Sequence, residues 1–442
     1  IMKTFSIQDY YSIGGKEKEK TIRISRRIII IKNSYRHFKQ ESYNDSELNL
    51  LGGMNMFYKK QPVQNQESYK NMLKTLGGLS RLFSEAESPY LFYRAHENIF
   101  AKFFDVSNNG RSDDSVDAYN IEKGIGIGLK TWVGGNDQKV AEFGRLRPQY
   151  EHLTGIELVK QIAEYRNLRI RTTMNSHGLD TMLYHIIKRI PNAMQIYEAA
   201  FDEIDVQNIV IDNKRGNDNN TYFSDGKHTY HFSSSKNTLY MIFDHMELVD
   251  EFEVEIYDDP YEILSTLLES TVIEVNTTPK KEQLCLRLYS TDKNGNKFVQ
   301  EKSGINQWNA NGRKRNLDEI YIPYPAKDRN RGRFFPERDT AFELRLPNGE
   351  TMSAKVCQDN GKAIMSNPNS FLGKWLLRDV LNLTPGKVVT YDMLREFNID
   401  CVVFTKFDDF TYSIDFGVLG TYEEFYGLED SEKLMENKND ID

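Results

Sequence analysis

The chain contains few of the residues that build disulfide-linked domains, structural metal clusters or membrane spans. It has 3 cysteines among 442 residues, widely separated and with no CxxC pair, so neither a disulfide framework nor a zinc cluster is expected. The longest aliphatic run, four isoleucines at 28–31, is far short of the roughly 20 apolar residues that a membrane helix needs. The polar residues at 1–20 lack the apolar segment of a signal peptide. Together these absences predict a protein of the reducing cytoplasm.

The chain also lacks an excess of positive charge. With 57 Lys and Arg against 65 Asp and Glu, its net charge is −8, which argues against a protein that coats nucleic acid non-specifically. A sequence-specific enzyme is compatible with this balance, because its basic surface can be local. Residues 311–338 are rich in Lys and Arg, whereas the tail at 423–442 is strongly acidic and is expected to be frayed or disordered.

Hydrophobic periodicity and turn residues divide the chain into three predicted parts. These are an α/β domain at 1–272 with a β-rich subregion at 205–256, a mostly β domain at 273–422, and the acidic tail at 423–442. The predicted helices are at 68–86, 92–105, 137–144, 155–167, 178–189, 192–203, 259–270, 371–381 and 391–397. Predicted strands of the first domain include 20–33, 115–119 and 124–132.

The most informative segment for chemistry runs from 113 to 142. Asp117 is predicted at the edge of one strand, Lys130 lies inside the next in the frame G-I-G-L-K-T-W, and Glu142 is predicted on the following helix. Carboxylates are ligands of a hard divalent cation, and a lysine can position the attacking water and offset charge that develops on phosphorus. The segment therefore predicts metal-assisted hydrolysis of a phosphodiester. In the alternative interpretation, these residues form a buried ion network without chemistry.

Together these residues resemble the core of PD-(D/E)XK nucleases. The resemblance implies a mixed sheet flanked by helices, Mg²⁺ as the cofactor, and Asp117 and Lys130 as the first acidic residue and the lysine. The chain departs from the pattern at Gly128, where a second acidic residue is expected, and Glu142 on the next helix is expected to replace it. Glu97, on the preceding helix, resembles an extra acidic residue that often joins the metal site. The catalytic residues thus expected are Asp117, Lys130, Glu142 and Glu97, the metal ligands being Asp117, Glu142 and Glu97, with Asp113 and Asp114 in reserve.

A second catalytic pattern lies upstream. His37, Lys39 and Asp45, followed by G-G-M-N at 52–55, resemble the HxK…D…GSxN signature of phospholipase D-type nucleases, with the aspartate one position out of register. That resemblance implies a histidine nucleophile and no metal. The alternative is an ordinary exposed stretch with His37 in solvent.

Two further histidines, His228 and His231, alternate in the motif H-T-Y-H-F. No third metal ligand lies in register with them, so they are predicted to be plain surface or hairpin residues rather than a metal site.

The second domain contains several ordered blocks rather than one short motif. The blocks are E-K-S-G-I-N-Q-W at 301–308, G-R-K-R-N-L-D-E-I-Y-I-P-Y-P-A-K at 312–327, F-F-P-E-R at 334–338, C-Q-D-N-G-K-A-I at 357–364, L-G-K-W-L at 372–376 and Y-S-I-D-F at 412–416. They are similar to the C-terminal B3-like DNA-binding domain of NgoFVII/BfiI-type restriction endonucleases, over about 295–418. The resemblance implies a mostly β pseudobarrel that recognises duplex DNA. In that family the usual catalytic partner is a phospholipase D-like domain, and this chain departs from the family there.

Two loops of this domain are rich in side chains that can read DNA. Arg pairs with guanine and Asn or Gln with adenine, each good pair contributing about 1–3 kcal/mol of discrimination, while Lys and Arg to phosphate set the register. The expected DNA-contacting residues are Asn306, Gln307, Trp308, Asn309, Arg313, Lys314, Arg315 and Asn316 in the first loop, and Gln358, Asn360, Lys362, Ser366, Asn367, Asn369 and Lys374 in the second. The residues expected in the barrel core are Tyr321, Ile322, Phe334, Phe335, Trp375 and Phe416.

These features favour a type II restriction endonuclease that cuts double-stranded DNA with Mg²⁺. Cutting two strands needs two active sites, so a homodimer is expected, and the restriction-modification context implies a cognate DNA methyltransferase. Two alternatives stay open: a non-catalytic sequence-specific DNA-binding protein, and a metal-independent phospholipase D-type nuclease.

Overall fold

The structure is a computed structural model that describes residues 56–108, 114–217, 219–270 and 281–428, with the backbone alone at 267–270. All of these residues belong to one unit of the chain, Met54–Asp442. The predicted strand at 20–33, the segment that begins at His37, Asp113 and residues 429–442 of the predicted tail lie outside the described residues. Within the described ranges, none of the helices has the length and apolar content to cross a membrane.

A six-stranded mixed sheet carries the predicted catalytic segment. Its strands are β1 (Ser107–Asn108), β2 (Ala118–Asn120), β3 (Ile125–Val133), β5 (Thr181–Ile190), β6 (Ala193–Ala200) and β11 (Glu247–Glu253), in the order β1-β2-β3-β5-β6-β11. Strands β3 and β5 are parallel, and the other neighbours are antiparallel. A parallel pair needs a long crossover connection, and here the chain between β3 and β5 supplies it with a long helix.

Helices cover both faces of this sheet. The helices of this part of the chain are α1 (Val63–Gly78), α2 (Tyr93–Phe104), α3 (Arg147–Tyr150), α4 (Gly155–His177) and α5 (Pro260–Ser270). On one face, Phe100 and Phe104 of α2 pack with Ile127 and Ile187 of the sheet; on the other, α4 packs through an apolar stripe that includes Ile162. The prediction of a helix at 92–105 is confirmed by α2, whereas α1 starts earlier and α4 continues further than predicted.

The hairpin β5–β6 corrects the prediction of helices at 178–189 and 192–203. The strands pair from Leu183 with Ala200 to Ile190 with Ala193, and Pro191 and Asn192 form the two-residue turn, where Asn192 takes a left-handed φ of 56°. Both faces of β5 are buried between helices, so apolar residues follow one another without strict alternation. Such runs cannot be distinguished from a buried helix by periodicity alone.

A second, antiparallel sheet continues the core beyond α4. Its strands are β4 (Asp137–Glu142), β7 (Val210–Ile211), β8 (Asn220–Ser224), β9 (Thr229–Ser233) and β10 (Thr238–Ile242), in the order β4-β10-β9-β8-β7. Strand β4 replaces the helix predicted at 137–144. His228 and His231 lie in the β8–β9 hairpin, which confirms the hairpin alternative, and both are buried rather than on the surface. The ring of His231 stacks between Tyr222 and Tyr240 of the neighbouring strands, at centroid distances of 4.7 and 4.5 Å.

The C-terminal region forms a seven-stranded half-barrel. Its strands are β12 (Gln283–Arg287), β15 (Ile322–Pro323), β16 (Ala341–Arg345), β17 (Thr351–Cys357), β18 (Ala363–Asn367), β19 (Cys401–Lys406) and β20 (Thr411–Gly417), in the order β12-β19-β20-β16-β17-β18-β15. A separate two-stranded ribbon comprises β13 (Ser290–Thr291) and β14 (Lys297–Phe298). The accompanying helices are α6 (Ala326–Arg329), α7 (Phe371–Gly373, continued by a π-helical segment at Lys374–Val380), α8 (Tyr391–Glu396) and α9 (Thr421–Tyr426). The helices predicted at 371–381 and 391–397 are thereby confirmed.

Most residues expected in the barrel core lie there. Buried members are Ile322, Phe334, Phe335 and Trp375, whereas Tyr321 and Phe416 are half-buried.

The predicted acidic tail starts too early, because Glu423 belongs to α9. Its buried carboxylate accepts a hydrogen bond from the Tyr289 hydroxyl and lies 3.2 Å from Lys297 Nζ.

Candidate active-site cleft and DNA-contact residues

Asp117 lies just before β2 and is fixed by two hydrogen bonds to β3. Its backbone N–H donates to the Ile127 carbonyl at 2.9 Å, and its Oδ2 accepts from the Leu129 N–H at 2.6 Å. Because Ala118 is paired with Ile127, Asp117 lies opposite Gly128. Asp117, the first acidic residue of the predicted motif, therefore lies opposite the position where the second acidic residue was expected.

Gly128 has no room for an acidic side chain. A Cβ atom added there would lie 2.8 Å from Cδ1 of Tyr184 and 3.0 Å from Cε1 of Phe201. These two rings stack on each other with centroids 4.1 Å apart, and both are buried. The departure from the nuclease pattern thus has a steric cause, because the stacked aromatic pair fills the space of the missing carboxylate.

Lys130 and Glu97 lie near Asp117. Burial lowers the pKa of Lys130 below its ordinary value, although the negative charge of the Asp117 carboxylate acts in the opposite direction. Glu97 is 6% exposed on α2 and accepts a hydrogen bond from Arg94 Nη1 at 2.9 Å. Burial raises the pKa of Glu97, and the negative charge of Asp117 raises it further. Burial also raises the pKa of Asp117, against the attraction of Lys130. The structure therefore brings these three predicted residues together.

Glu142 does not join them as predicted. It is the last residue of the edge strand β4 rather than part of a helix, its side chain is 55% exposed, and its carboxylate pairs with Lys139. It lines the same cleft from the other side. Across the described ranges, no group of three or more His, Cys, Asp or Glu residues is arranged to hold a metal ion. Besides Glu142, the carboxylates that line the cleft are Asp117, Glu97 and Asp114.

Asp114, one of the two reserve residues, has a structural environment of its own. Its carboxylate accepts hydrogen bonds from the Thr173 hydroxyl and the Ser115 N–H, and its Oδ2 lies 2.8 Å from Nε2 of His177. These contacts connect the approach to β2 with the C-terminal end of α4. The hydrogen bond from His177 lowers the pKa of the Asp114 carboxyl despite its burial.

The cleft around these residues has a volume of about 720 Å³ and contains cations that sequence reasoning missed. Arg166 and Arg169 project from α4, and Arg145 lies in the turn after β4. The helix predicted at 155–167 ended before Arg169, so the three-residue spacing that places both arginines on one helical face was not recognised. Asn398 and Leu419 of the C-terminal region complete the lining.

In the C-terminal region, Glu319 links the two predicted DNA-contacting loops. This carboxylate is buried, and it lies 2.6 Å from Arg313 Nη2 and 3.4 Å from Arg315 Nε. Its other oxygen accepts a hydrogen bond from Asn369 Nδ2 at 2.8 Å. Sequence reasoning selected the two arginines and Asn369 but missed the acidic residue that holds them together.

The predicted residues Asn306 and Ser366 are fully buried and are corrected to structural roles. Asn306 Nδ2 donates to the Val389 carbonyl at 2.9 Å, and its Oδ1 accepts from the Val389 N–H at 2.9 Å. The Ser366 hydroxyl donates to the Pro368 carbonyl and accepts from the Leu372 N–H, both at 2.8 Å. Their polar atoms are thus satisfied within the protein.

The second predicted loop is divided between the two ends of β18. Gln358, Asn360 and Lys362 lie at the β17–β18 turn, where the Asn360 carbonyl accepts from Arg329. Asn367, Asn369 and Lys374 follow the other end of the strand, beside the first loop. Exposed members at that end are Arg313, Lys314, Asn316, Asn367 and Lys374, whereas Gln307, Trp308, Asn309, Arg315 and Asn369 are partly buried. Trp308 packs against the barrel core.

Comparison with known protein families identifies the C-terminal segment. Residues 278–408 match the NgoFVII C-terminal B3-like DNA-binding domain. The predicted resemblance of this region is confirmed, and the half-barrel is consistent with a B3-like domain. The match supports sequence-specific DNA binding of the restriction-enzyme type, with DNA as the partner. It does not include Glu97, Asp117 or Lys130, and a search of curated proteins finds no match.

Proposed function

We propose that the chain is a type II restriction endonuclease that hydrolyses phosphodiester bonds of double-stranded DNA. The observation that carries this proposal is the convergence of Asp117, Glu97 and Lys130 in a cleft that residues of the C-terminal region also line. Glu97 is buried, and the half-buried Asp117 and Lys130 line the same cleft. Charges removed from water in this way are costly unless each has a partner, and perturbed ionisable groups cluster at functional sites. The B3-like domain supplies the DNA-binding half of the proposed enzyme.

Mg²⁺ fits the residues of the cleft. This ion is usually held by one or two carboxylates together with water and substrate phosphate oxygens, and Asp117 and Glu97 provide such a pair. Burial and, to a smaller extent, the negative charge of Asp117 raise the pKa of Glu97, and a bound divalent cation would offset both effects. When bound, the ion would polarise the phosphate and lower the pKa of an attacking water. Glu142 is left out of this ligand set because its carboxylate pairs with Lys139 on the other side of the cleft.

Lys130 has the role of positioning water and offsetting negative charge on the phosphate. Its burial lowers the pKa of the ammonium group, so the proton is released more readily than from an exposed lysine. Asp117 is held rigidly by its hydrogen bond from Leu129, one residue before Lys130. The two groups are therefore positioned by the same short stretch of β3.

The proposed enzyme acts in the cytoplasm as a homodimer, in a system with a cognate DNA methyltransferase. Two active sites are needed for two strand cuts. DNA reading is assigned to the exposed side chains around Glu319, chiefly Arg313, Asn316 and Asn367, where Arg and Asn can contact base edges.

The proposal is tested by digesting a sequenced phage genome with the full chain, with Mg²⁺ or with EDTA, and mapping the fragment ends. Discrete ends that require Mg²⁺ are expected. Lys130→Ala should retain DNA binding and lose cleavage, whereas Lys123→Ala, on the exposed turn before β3, is the matched control and should cut normally. Cleavage by Lys130→Ala at the wild-type rate would overturn the assignment.

Two other functions predict different results in the same assay. A non-catalytic DNA-binding protein, consistent with a family match confined to the B3-like domain, would give retarded but uncut DNA under all conditions. A phospholipase D-type nuclease would cut in EDTA and lose cleavage with His37→Ala.

A further inference from the structure

Two large apolar side chains are exposed beside the residues assigned to DNA reading. Leu317 directly follows Asn316 in the first loop and is 45% exposed. Phe371 begins α7, between Asn369 and Lys374 of the second loop, and is 48% exposed. A single exposed apolar residue needs no explanation, but apolar side chains on adjoining loops of a binding surface indicate a contact with the ligand.

The backbones that carry these two side chains are fixed against each other. Gly373 approaches the first loop so closely that a Cβ atom added there would lie 1.8 Å from the Asp318 carbonyl oxygen. Arg378, on the π-helical segment, donates from Nε to Asp318 Oδ1 at 2.7 Å and from Nη2 to the Leu317 carbonyl at 3.0 Å. These contacts lie next to Leu317 on one loop and close to Phe371 on the other. The two apolar residues therefore stand on a common, rigid support.

The surroundings of this support favour duplex DNA as the partner. Exposed Lys314 and Lys374 suit phosphates, and exposed Asn316 and Asn367 suit the polar edges of bases. The residues lie within the segment that matches a DNA-binding domain. In the major groove, the C5-methyl group of thymine is the apolar group that a base edge presents, and phenylalanine is one of the side chains that contact it.

We propose that Phe371, assisted by Leu317 on the adjoining loop, contacts the C5-methyl group of a thymine in the major groove and so makes the chain selective for thymine at that position. The neighbouring asparagines read the polar atoms of base edges, whereas the apolar pair reads the methyl group. This inference rests on the assignment of DNA reading to the surface around Glu319, and it does not require cleavage.

The test uses the full chain in EDTA and a duplex that the chain itself selects from a random library. Each thymine of the selected duplex is replaced in turn by uracil, which removes the methyl group and leaves the polar atoms unchanged, and fluorescence anisotropy of the fluorescein-labelled duplex gives the dissociation constant. For at least one thymine, the wild type should bind the uracil duplex about fourfold more weakly, the equivalent of about 0.8 kcal/mol for one buried methyl-sized group.

Three variants assign this difference to the apolar pair. Phe371→Ala should bind the thymine duplex more weakly than the wild type and should no longer distinguish thymine from uracil at the same position. Leu317→Ala should reduce the difference. Phe425→Ala is the matched control, because Phe425 is also an exposed phenylalanine but lies on α9, after the last strand of the half-barrel; it should keep the full fourfold difference.

The outcomes separate this inference from the proposed nuclease. If Phe371→Ala, folded as judged by circular dichroism, keeps the full difference, or if no uracil substitution weakens binding by the wild type, the methyl contact is refuted even when the wild type cuts DNA with Mg²⁺. Stronger binding when 5-methylcytosine replaces cytosine, with no effect of uracil, would likewise refute the choice of thymine. If the difference is found and depends on Phe371 but the wild type never cuts, the methyl contact stands and the nuclease assignment fails. A selection that enriches no sequence would overturn both the contact and the assignment of DNA reading to this surface.

Discussion

The stacked pair Tyr184–Phe201 explains why Gly128 is not an acidic residue, and this explanation can be tested by restoring the acid. In Gly128→Asp, the new Cβ atom would lie 2.8 and 2.9 Å from two ring carbons of Tyr184 and 3.0 Å from one of Phe201. Contacts this short force one ring to move, and the rings cannot separate freely because both belong to a buried cluster between α4 and the sheet. Overpacking of this kind costs about 1–3 kcal/mol.

The aspartate adds an electrostatic cost to the steric one. Its carboxylate would face Asp117, whose pKa is already raised by burial, so a second negative charge at this position is opposed by both desolvation and repulsion. We therefore expect Gly128→Ala to lower the free energy of unfolding by about 1–3 kcal/mol, and Gly128→Asp to lower it further. The variant that carries the acidic residue of the expected nuclease pattern should therefore be less stable than the wild type.

Urea denaturation followed by tryptophan fluorescence measures the effect. Gly135→Ala is the matched control, because a Cβ atom there meets no other atom within 4 Å, and its stability should stay near that of the wild type. Phe201→Leu combined with Gly128→Ala should cost less than the sum of the two single changes, since the smaller side chain makes room. A Gly128→Asp protein with wild-type stability, or with enhanced Mg²⁺-dependent cleavage, would refute the steric explanation.

Three further predictions concern charged and polar groups. Glu319→Gln leaves Arg315 without its charged partner, so we expect a loss of about 1–3 kcal/mol in unfolding free energy together with weaker DNA binding by anisotropy; unchanged binding would remove Glu319 from the DNA-contact region. Asn306→Ala leaves the buried N–H of its backbone partner unsatisfied and should cost about 1–3 kcal/mol without changing the DNA affinity of the folded protein, in contrast to a base-contacting residue. Burial raises the pKa values of Asp117 and Glu97. Their ionisation therefore favours unfolding as the pH rises above the ordinary carboxyl range. For the same reason, acidification should weaken Mg²⁺ binding at a higher pH than it would if these carboxyls had ordinary pKa values. Calorimetric Mg²⁺ titrations at several pH values test this, and an affinity independent of pH would contradict it.

Local patterns in the sequence predicted the parts of the cleft that depend on local structure. The strand around Lys130 and the helix that carries Glu97 were both recognised, because a single run of residues specifies each of them. The position of Glu142 was wrong for a tertiary reason: β4 pairs with β10, about one hundred residues later in the chain, and no local pattern reports such a partner. The prediction of helices in place of the hairpin β5–β6 was also wrong, because burial on both faces removes the alternation of apolar and polar residues that marks a strand.

In the DNA-binding region, the type of domain was predictable from the sequence, whereas the exposure of individual side chains was not. Its ordered blocks predicted the similarity to a B3-like DNA-binding domain that the match to residues 278–408 confirms, but the type of a side chain does not reveal whether it faces solvent. Asn306 and Ser366 have the same chemistry as base-reading residues, yet each is fully buried and bonded to the backbone. Their neighbours Asn316 and Asn367 are exposed. Only the tertiary structure distinguishes an amide that supports a loop from one that is available to DNA.

The cleft and the B3-like domain are also connected through Arg145. The carbonyl of Arg145, a residue that lines the cleft, accepts a hydrogen bond at 2.7 Å from Arg395 of α8, and Asn398 and Leu419 line the same space. A displacement of α8 would therefore move the turn that carries Arg145 together with part of the cleft wall. Helix α8 packs through Leu394 into the core cluster that also contains Trp375. The hydrogen bond from Arg395 therefore connects the wall of the cleft to the core of the C-terminal region. In the proposed enzyme, such a connection would help to hold the strand to be cut at a fixed distance from the bases that are read.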